Sequence, residues 1–468
     1  MHHHQTASLK NTKRKAEESG GEPIGLAPFR AFIYDFNPSQ HHRTRSLFNH
    51  CAPQYLSGLI AGKIRRNLEK ISEQIDHVAY QTLHHFISHS PWDDQALCHK
   101  ISQFTNDLLG DNENTALFID PSGIPKKGND SVGVSRQYCG ATGKVDNCQI
   151  GVFSALVNDT NAVLINKRLN VPKRWCADNQ RCEAAGIPEA SRIYKNNQTL
   201  ALELIEDADH QGLRYAWVGL DAEFGTPSFL FKLAEMKKEF MVDVRVNTRI
   251  YLQNPRMSFS RRDEKKRHYR WKRKPIKVGS ISKAGRWKTV AIRDSSKGIL
   301  KAKIRKVPVW IWNRKKDTTP IKVHLLIRKL EGDPKGRQYK YSLTNADQKT
   351  SMQRLAYQQS QRFWVEKAIK DCKDALGMDE YQTRRWRAWH HQVSLTMLAA
   401  AFLMKLKIEK GEELPLLSVY DVKDLVTVIL PVKKPDLESM WTIVLARHER
   451  KATALRNASS DLKSGPPG

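Results

Sequence analysis

The 468-residue chain is short of acid, of cysteine and of long apolar runs. Its longest largely apolar stretch, Val393 to Met404, has 12 residues, whereas a bilayer span takes roughly 20. A buried helix is therefore expected there, and no membrane partner. The N-terminus is polar and His-rich, without the pattern of a secretory signal. Seven cysteines stand at irregular positions (51, 98, 139, 148, 176, 182 and 372). An odd, unpatterned set in a large chain suggests reduced thiols in a cytosol. The Cys176 and Cys182 spacing is not that of a zinc site, and the His pairs at 41–42, 84–85 and 390–391 read as surface or packing residues. Acid is the telling shortage. Asp and Glu number 49 against 78 Lys and Arg, a net charge of +29, and the pI is about 9.8. Such a chain expects a polyanionic partner, with nucleic acid the first class.

What is present falls into segments. Residues 1–24 are charged and almost without large apolar side chains, which predicts a flexible basic arm. From 25 to 112 the period is helical: Leu56, Leu59, Ile60, Ile64, Leu68 and Ile71 follow a spacing near 3.6. Ser90–Pro91 then breaks the pattern, and Asp93 or Asp94 can cap the next helix. Two short helices about a tight break suit a helix-turn-helix reader of DNA, the favoured reading on so basic a chain, with a plain helical bundle the competing one. From Thr115 to about residue 250 the pattern reads β-β-β-α-β-α-β, from ALFID, CQIGVFSALV, AVLINKRLNV, QTLALELIEDAD, YAWVGLD, SFLFKLAEMKKE and FMVDVRV.

Within this order three acids stand out. Asp120 ends ALFID, Asp221 ends YAWVGLD, and Glu366 lies on the helical run RFWVEKAIKDCKDAL with Arg362 and Lys373 on the same face. Bunched carboxylates repel unless cations neutralise them, so such a set points to bound divalent metal. On so basic a chain, metal-assisted chemistry on nucleic acid is the leading idea.

The 145 residues between Asp221 and Glu366 exceed what one helix, one strand and a turn require. A β-rich insertion is expected over 251–340. It opens with the run Ser260–Pro275, which holds nine Lys and Arg, among them Arg270, Lys272, Arg273 and Lys274. Those four are expected to contact phosphates. Trp287, Trp310 and Trp312 are candidates for stacking on bases, with core tryptophans the competing reading. Residues 341–408 return to the core, 409–458 are helical, and the tail 459–468 is expected to be disordered.

These blocks resemble the DDE transposases of bacterial insertion sequences, in the branch with a β-strand insertion between the second and third acids. FIDPSGIPKKGNDSVGVSRQYCGATGKVDNCQIGVF is similar to the family's first-acid block, WVGLDAEFG to its second, and YSLTNA with the Gln361–Leu403 stretch to its third. The branch signature is Tyr, two residues, Arg, three residues, Glu, six residues, Lys. Arg362, Glu366 and Lys373 match it, while Gln359 stands at the Tyr position and the nearest tyrosine is Tyr357.

The resemblance implies an α/β protein with a ribonuclease H-like core and mixed sheet, split by the insertion into 113–250 and 341–408. It implies an all-helical N-terminal region that binds DNA ends, C-terminal helices able to oligomerise, and a bacterial cytoplasm and nucleoid as the setting. Asp120, Asp221 and Glu366 would hold two Mg²⁺ or Mn²⁺ ions, Asp120 bridging both, and Arg362 and Lys373 would grip phosphates beside the scissile bond. The implied activity is cleavage at transposon ends and strand transfer into double-stranded target DNA by a dimer formed on DNA. Two alternatives stay open: a non-catalytic DNA-binding derivative, and a ribonuclease H-superfamily nuclease without strand transfer.

Overall fold

The computed structural model describes residues 25–63, 65–255, 257–259, 269–271, 274–281, 284–295, 298–314, 318–329, 338–414 and 416–433, with 438, 441 and 445; of 257–259, 269–271, 293–295 and 298–299 it describes the backbone alone. The expected arm (1–24) and tail (459–468) lie outside these residues.

Five helices come first: α1 (Leu26–Asp35), α2 (His42–Ala61), α3 (Leu68–Gln74), α4 (Tyr80–Ser88) and α5 (Asp94–Leu109). The helical period read through Leu56–Ile71 is interrupted between α2 and α3. The Arg66 backbone N–H donates to Glu380 Oε2 at 2.6 Å, and its guanidinium pairs with the same carboxylate. Asn67 then caps α3 by accepting from Lys70 N. At the Ser90–Pro91 break it is Asp93 that caps α5, accepting from Gln95 N and Ala96 N. The neighbouring Asp94 turns instead to the buried Lys167 ammonium.

The sheet begins with β1 (Ala116–Pro125), β2 (Ser135–Cys139), β3 (Lys144–Asn158) and β4 (Asn161–Leu169). Strand β2 was not foreseen from the pattern. Ten consecutive β3 residues, Cys148 to Val157, are buried, as expected of a strand covered on both faces. Two short helices, α6 (Lys173–Cys176) and α7 (Asn179–Ala184), precede α8 (Asn197–His210), β5 (Trp217–Leu220), α9 (Pro227–Glu235) and β6 (Phe240–Asp243). Then come β7 (Arg249–Ile250), β8 (Met257–Phe259), β9 (Tyr269–Trp271) and β10 (Ile276–Lys277), followed by β11 (Lys288–Ser295), β12 (Gly298–Ile311), β13 (Ile321–Lys329) and β14 (Tyr339–Thr344). Three helices close the described chain: α10 (Met352–Asp374), α11 (Trp386–Glu409) and α12 (Val419–Ile429).

The architecture is mixed α/β. Ten strands form one sheet in the order β11-β12-β13-β14-β6-β5-β1-β3-β2, with β4 also on β3. Strands β1, β5 and β6 run parallel to one another, and the remaining pairings in the sheet are antiparallel. Strands β11 to β14 therefore extend the same sheet, joined through β14 to β6. On one face, α1–α5 and α10–α12 share a core with β1, β3 and β4; on the other, α8 and α9 pack with β5, β6 and β12–β14. The apolar stretch Val393–Met404 is the centre of α11, and all but Ala400 of it is buried in the first core. Among the described residues no helix is long and apolar enough to cross a membrane.

Candidate active site

Register brings the acids together. Ile119 of β1 pairs with Leu220 of β5, and Leu220 pairs with Val242 of β6. The next residues along these strands are Asp120, Asp221 and Asp243, which the pairing sets side by side at one level across three parallel strands. Neighbouring strands lie about 4.8 Å apart, so three carboxylates crowd one short row. Asp120 does not end its strand as the ALFID pattern suggested. Strand β1 continues to Pro125, paired throughout with β3, because Ile124 supplies a further buried side chain.

Helix α10 lies over this row and supplies both the fourth acid and the countercharge. Arg362 Nη1 binds Asp243 Oδ2 at 2.8 Å. Its Nη2 is 2.9 Å from Glu366 Oε1, 3.9 Å from Asp120 Oδ1 and 4.0 Å from Asp221 Oδ2. One guanidinium thus faces four carboxylates. Burial lowers the Arg362 pKa, but Asp243, Asp120, Glu366 and Asp221 outweigh it and hold the group firmly charged. One cation does not satisfy all four acids. Burial lifts the Asp120 carboxyl to about 8, opposed by Arg362 and reinforced by Asp221, Glu366 and Glu223. Asp221 is also raised, by burial first.

Asp243 was missed by the sequence reading, although FMVD repeats the pattern of an apolar run ending in Asp. It is the best-partnered acid of the row. Lys340 Nζ lies 2.8 Å from Oδ2, and the Ser342 hydroxyl donates to Oδ1 at 2.6 Å. Burial pushes its carboxyl up, but Lys340 and Arg362 prevail and bring it down to about 2. Gln359, at the signature tyrosine's position, donates to Ser342 Oγ at 2.8 Å and so supports this anchor. Glu223 was missed too: its backbone N–H donates to Asp221 Oδ1 at 2.8 Å, and its carboxylate accepts from Asn197.

Lys373 reaches β1 three residues beyond Asp120, donating to Gly123 O at 2.7 Å; burial lowers its pKa. The expected phosphate and base contacts fare differently. Arg270 lies on β9, Lys274 is exposed, and Lys272 and Arg273 fall outside the described residues. Trp312 is a correction. Its ring is only 4% exposed in the second core, with its indole N–H bound by Thr318, so it offers no face to a base. Trp287 and Trp310 are half-buried against the same core, Trp287 with its ring 5.9 Å from that of Tyr339.

Among the described residues, no group of three or more Asp, Glu, His or Cys surrounds a common point at metal-binding spacing; the Arg362 side chain lies among the acids instead. The donor set itself suits a hard cation. It is all carboxylate oxygen, and burial leaves Asp120 and Asp221 short of positive charge.

The matches to known proteins agree with this chemistry. A model of the DDE superfamily endonucleases matches residues 36–299. The chain is 27% identical over 195 residues to a probable transposase for insertion sequence element IS701 from Microchaete diplosiphon, covering 41% of this chain and 47% of that protein. It thus spans about half the length of this curated relative. With the family model covering more than half of its length, the chain belongs to the DDE superfamily of endonucleases.

Proposed function

We propose that this protein is the DNA transposase of an insertion sequence, cutting at the element's ends and joining them to target DNA by a cut-and-paste route. The observation that carries the proposal is the alignment of Asp120 and Asp221 by parallel register, with Glu366 on the helix above, around a single guanidinium nitrogen. A ribonuclease H-like core is supported by the order β4-β3-β1-β5-β6, antiparallel over its first pairs and parallel over its last. Residues 25–112 as the end-binding region, 113–250 and 341–408 as the two parts of the core, 251–340 as its insertion and 409–458 as an oligomerisation element belong to the same reading.

Asp120, Asp221 and Glu366 would hold Mg²⁺ or Mn²⁺, two ions per site in this reading; such ions supply an activated hydroxyl nucleophile and stabilise the leaving 3′-oxygen. The other side chains position DNA. Arg362 is tethered through Nη1 to Asp243, which leaves its Nη2 edge directed at the acids, where a scissile phosphate would lie. A planar fork with one edge anchored is ready to bind a phosphate with the other. Lys373 spends one donor on Gly123 O and has two more for the adjoining phosphate. The setting would be the bacterial cytoplasm and nucleoid.

Joining two ends requires two sites, so a homodimer assembled on DNA is part of the reading. It is supported by the outer side of α12, where Val428 is 84% exposed, and by Leu416 before it at 95%. The test uses DNA carrying the element's ends. Asp120→Ala, Asp221→Ala and Glu366→Ala are each expected to abolish Mg²⁺-dependent nicking while DNA binding persists. A variant that nicks at the wild-type rate would remove that acid from the site. Nicking without joined product would reduce the protein to a nuclease.

A further inference from the structure

A cleft of about 550 Å³, with none of the carboxylate row in its walls, is lined by Asn129, Asp130, Arg174, Trp175, Arg181, Arg384 and Arg385. Four arginines face one aspartate there. The arginines come from two separate chain segments, α6 with α7 and the residues leading into α11, while the link after β1 supplies Asn129 and Asp130. Only Arg384 has an acidic partner, the exposed Asp130 at 2.8 Å; among the described residues no carboxylate lies within ion-pair distance of Arg174, Arg181 or Arg385. Cations gathered without counterions repel one another, so the fold is holding them there against their own electrostatics.

The holding is specific. Arg181 lies flat over the buried Trp175 ring, its guanidinium carbon 3.7 Å from the centroid, and donates to Asn129 O. Arg174 and the Trp175 indole both donate to Val134 O at 2.8 Å. Val132 N donates to Arg384 O at 2.8 Å, fixing the second segment to the same link. The Arg174 and Arg181 guanidiniums are therefore steadied by backbone and ring, and that of Arg384 by Asp130, while most of the donors stay open, an arrangement pre-organised for oxyanions.

The link also fixes where the cleft stands relative to the acids. It leaves the end of β1, and Asp120 and Pro125 are five residues apart on that strand, about 17 Å at the rise of an extended chain. Two cations mark the way: Lys373 at Gly123, and Lys126, whose ammonium donates to Tyr381 O and lies 3.4 Å from the centre of the Tyr381 ring. We infer that this cleft is a second phosphate-binding site, which seats the sugar–phosphate backbone of duplex DNA about half a helical turn or more from the bond that the carboxylates cut. At roughly 3.4 Å per base step, 17 Å corresponds to about five steps. The inference rests on the reading of the protein as one that acts on DNA.

The test is the salt dependence of binding to a mixed-sequence duplex several helical turns long, read by fluorescence anisotropy. Arg384→Ala with Arg385→Ala, both exposed, forms one variant, and Arg174→Gln with Arg181→Gln the other; a thermal melt checks that each folds. Each phosphate contact contributes about 0.9 to the slope of log K against log salt. Each variant is therefore expected to flatten the slope by roughly 1 to 2 and to bind about tenfold more weakly or worse near physiological salt. Lysine at 384 and 385 is expected to restore most of the slope. If the folded variants bind with the wild-type slope and affinity, the cleft is no phosphate site. If the wild-type protein fails to bind the duplex, the underlying functional reading falls instead.

Discussion

Asp243 shows what a single residue can decide. It touches neither Asp120 nor Asp221, yet it fixes the guanidinium that faces both, at 2.8 Å. Asp243→Asn leaves the shape and removes the charge, so Arg362 loses its tether and swings toward the remaining acids. Nicking is expected to fall on the order of 10²-fold, the scale of a misplaced catalytic group, while duplex affinity stays within a few-fold; unchanged nicking would show that Arg362 needs no anchor. Gly219 makes a second residue-scale case. A Cβ there would sit 2.2 Å from the buried Phe118 ring, which has no room to retreat. Gly219→Ala is expected to cost about 1–3 kcal/mol in denaturant unfolding, and a neutral result would mean that the β1–β5 contact yields more readily than its packing implies. Asp120 and Asp221 were legible because each follows an apolar run. Asp243 was hidden because the alternation of FMVDVRV reads straight through it, whereas the strand stops at that residue.

Helices with their own signals were readable at the level of elements. The Ser90–Pro91 break, the cap at Asp93 and the buried α11 all follow from local chemistry. The gap between α2 and α3 was not foreseen, and part of what holds it is distant: Arg66 is bound by Glu380, 314 residues away. The side chain of Trp312 was likewise ambiguous: basic-aromatic composition is the same whether a ring turns inward or outward. Helix α11 also carries a pH dependence. His390 is 6% exposed, and burial, against the opposing pull of Asp94, brings its pKa down to about 4. Lys167 and Arg168 face it too and act in the same direction as burial. An imidazole that is harder to protonate when folded stabilises the fold fully above its unfolded pKa of about 6.5, and that contribution is lost as the pH falls toward 4. Unfolding free energy is expected to decline over that window by up to a few kcal/mol. His390→Asn is expected to flatten the decline, and an equally steep curve in the variant would assign it to other groups.

Assembly belongs to the whole molecule. A chain at +29 repels its copies until phosphate neutralises it, and α12 turns Val419, Val422 and Val426 inward while leaving Leu425 and Val428 exposed. Mass measurement is therefore expected to give a monomer alone and two protein copies per complex once two DNA ends are present. A fully active complex of one protein and one end would exclude the dimer. Val428→Glu is expected to weaken pairing without weakening single-end binding. No sequence pattern revealed that β11–β14 would extend the sheet that carries the acid row, because strand order depends on partners far apart along the chain.

That extension has a consequence during synthesis. Until β14 is made, β6 is left with one bare edge, since its second partner begins about a hundred residues downstream at Tyr339. At ribosomal rates of about 5–20 residues per second, the edge waits roughly 5–20 s. Open strand edges invite pairing with other chains, and the waiting strand ends in Asp243, a charge that discourages such pairing. Glu366 leaves the ribosome later still. In the proposed reading, the acid row therefore stays incomplete on a nascent chain until after the sheet that carries its first acids has been closed.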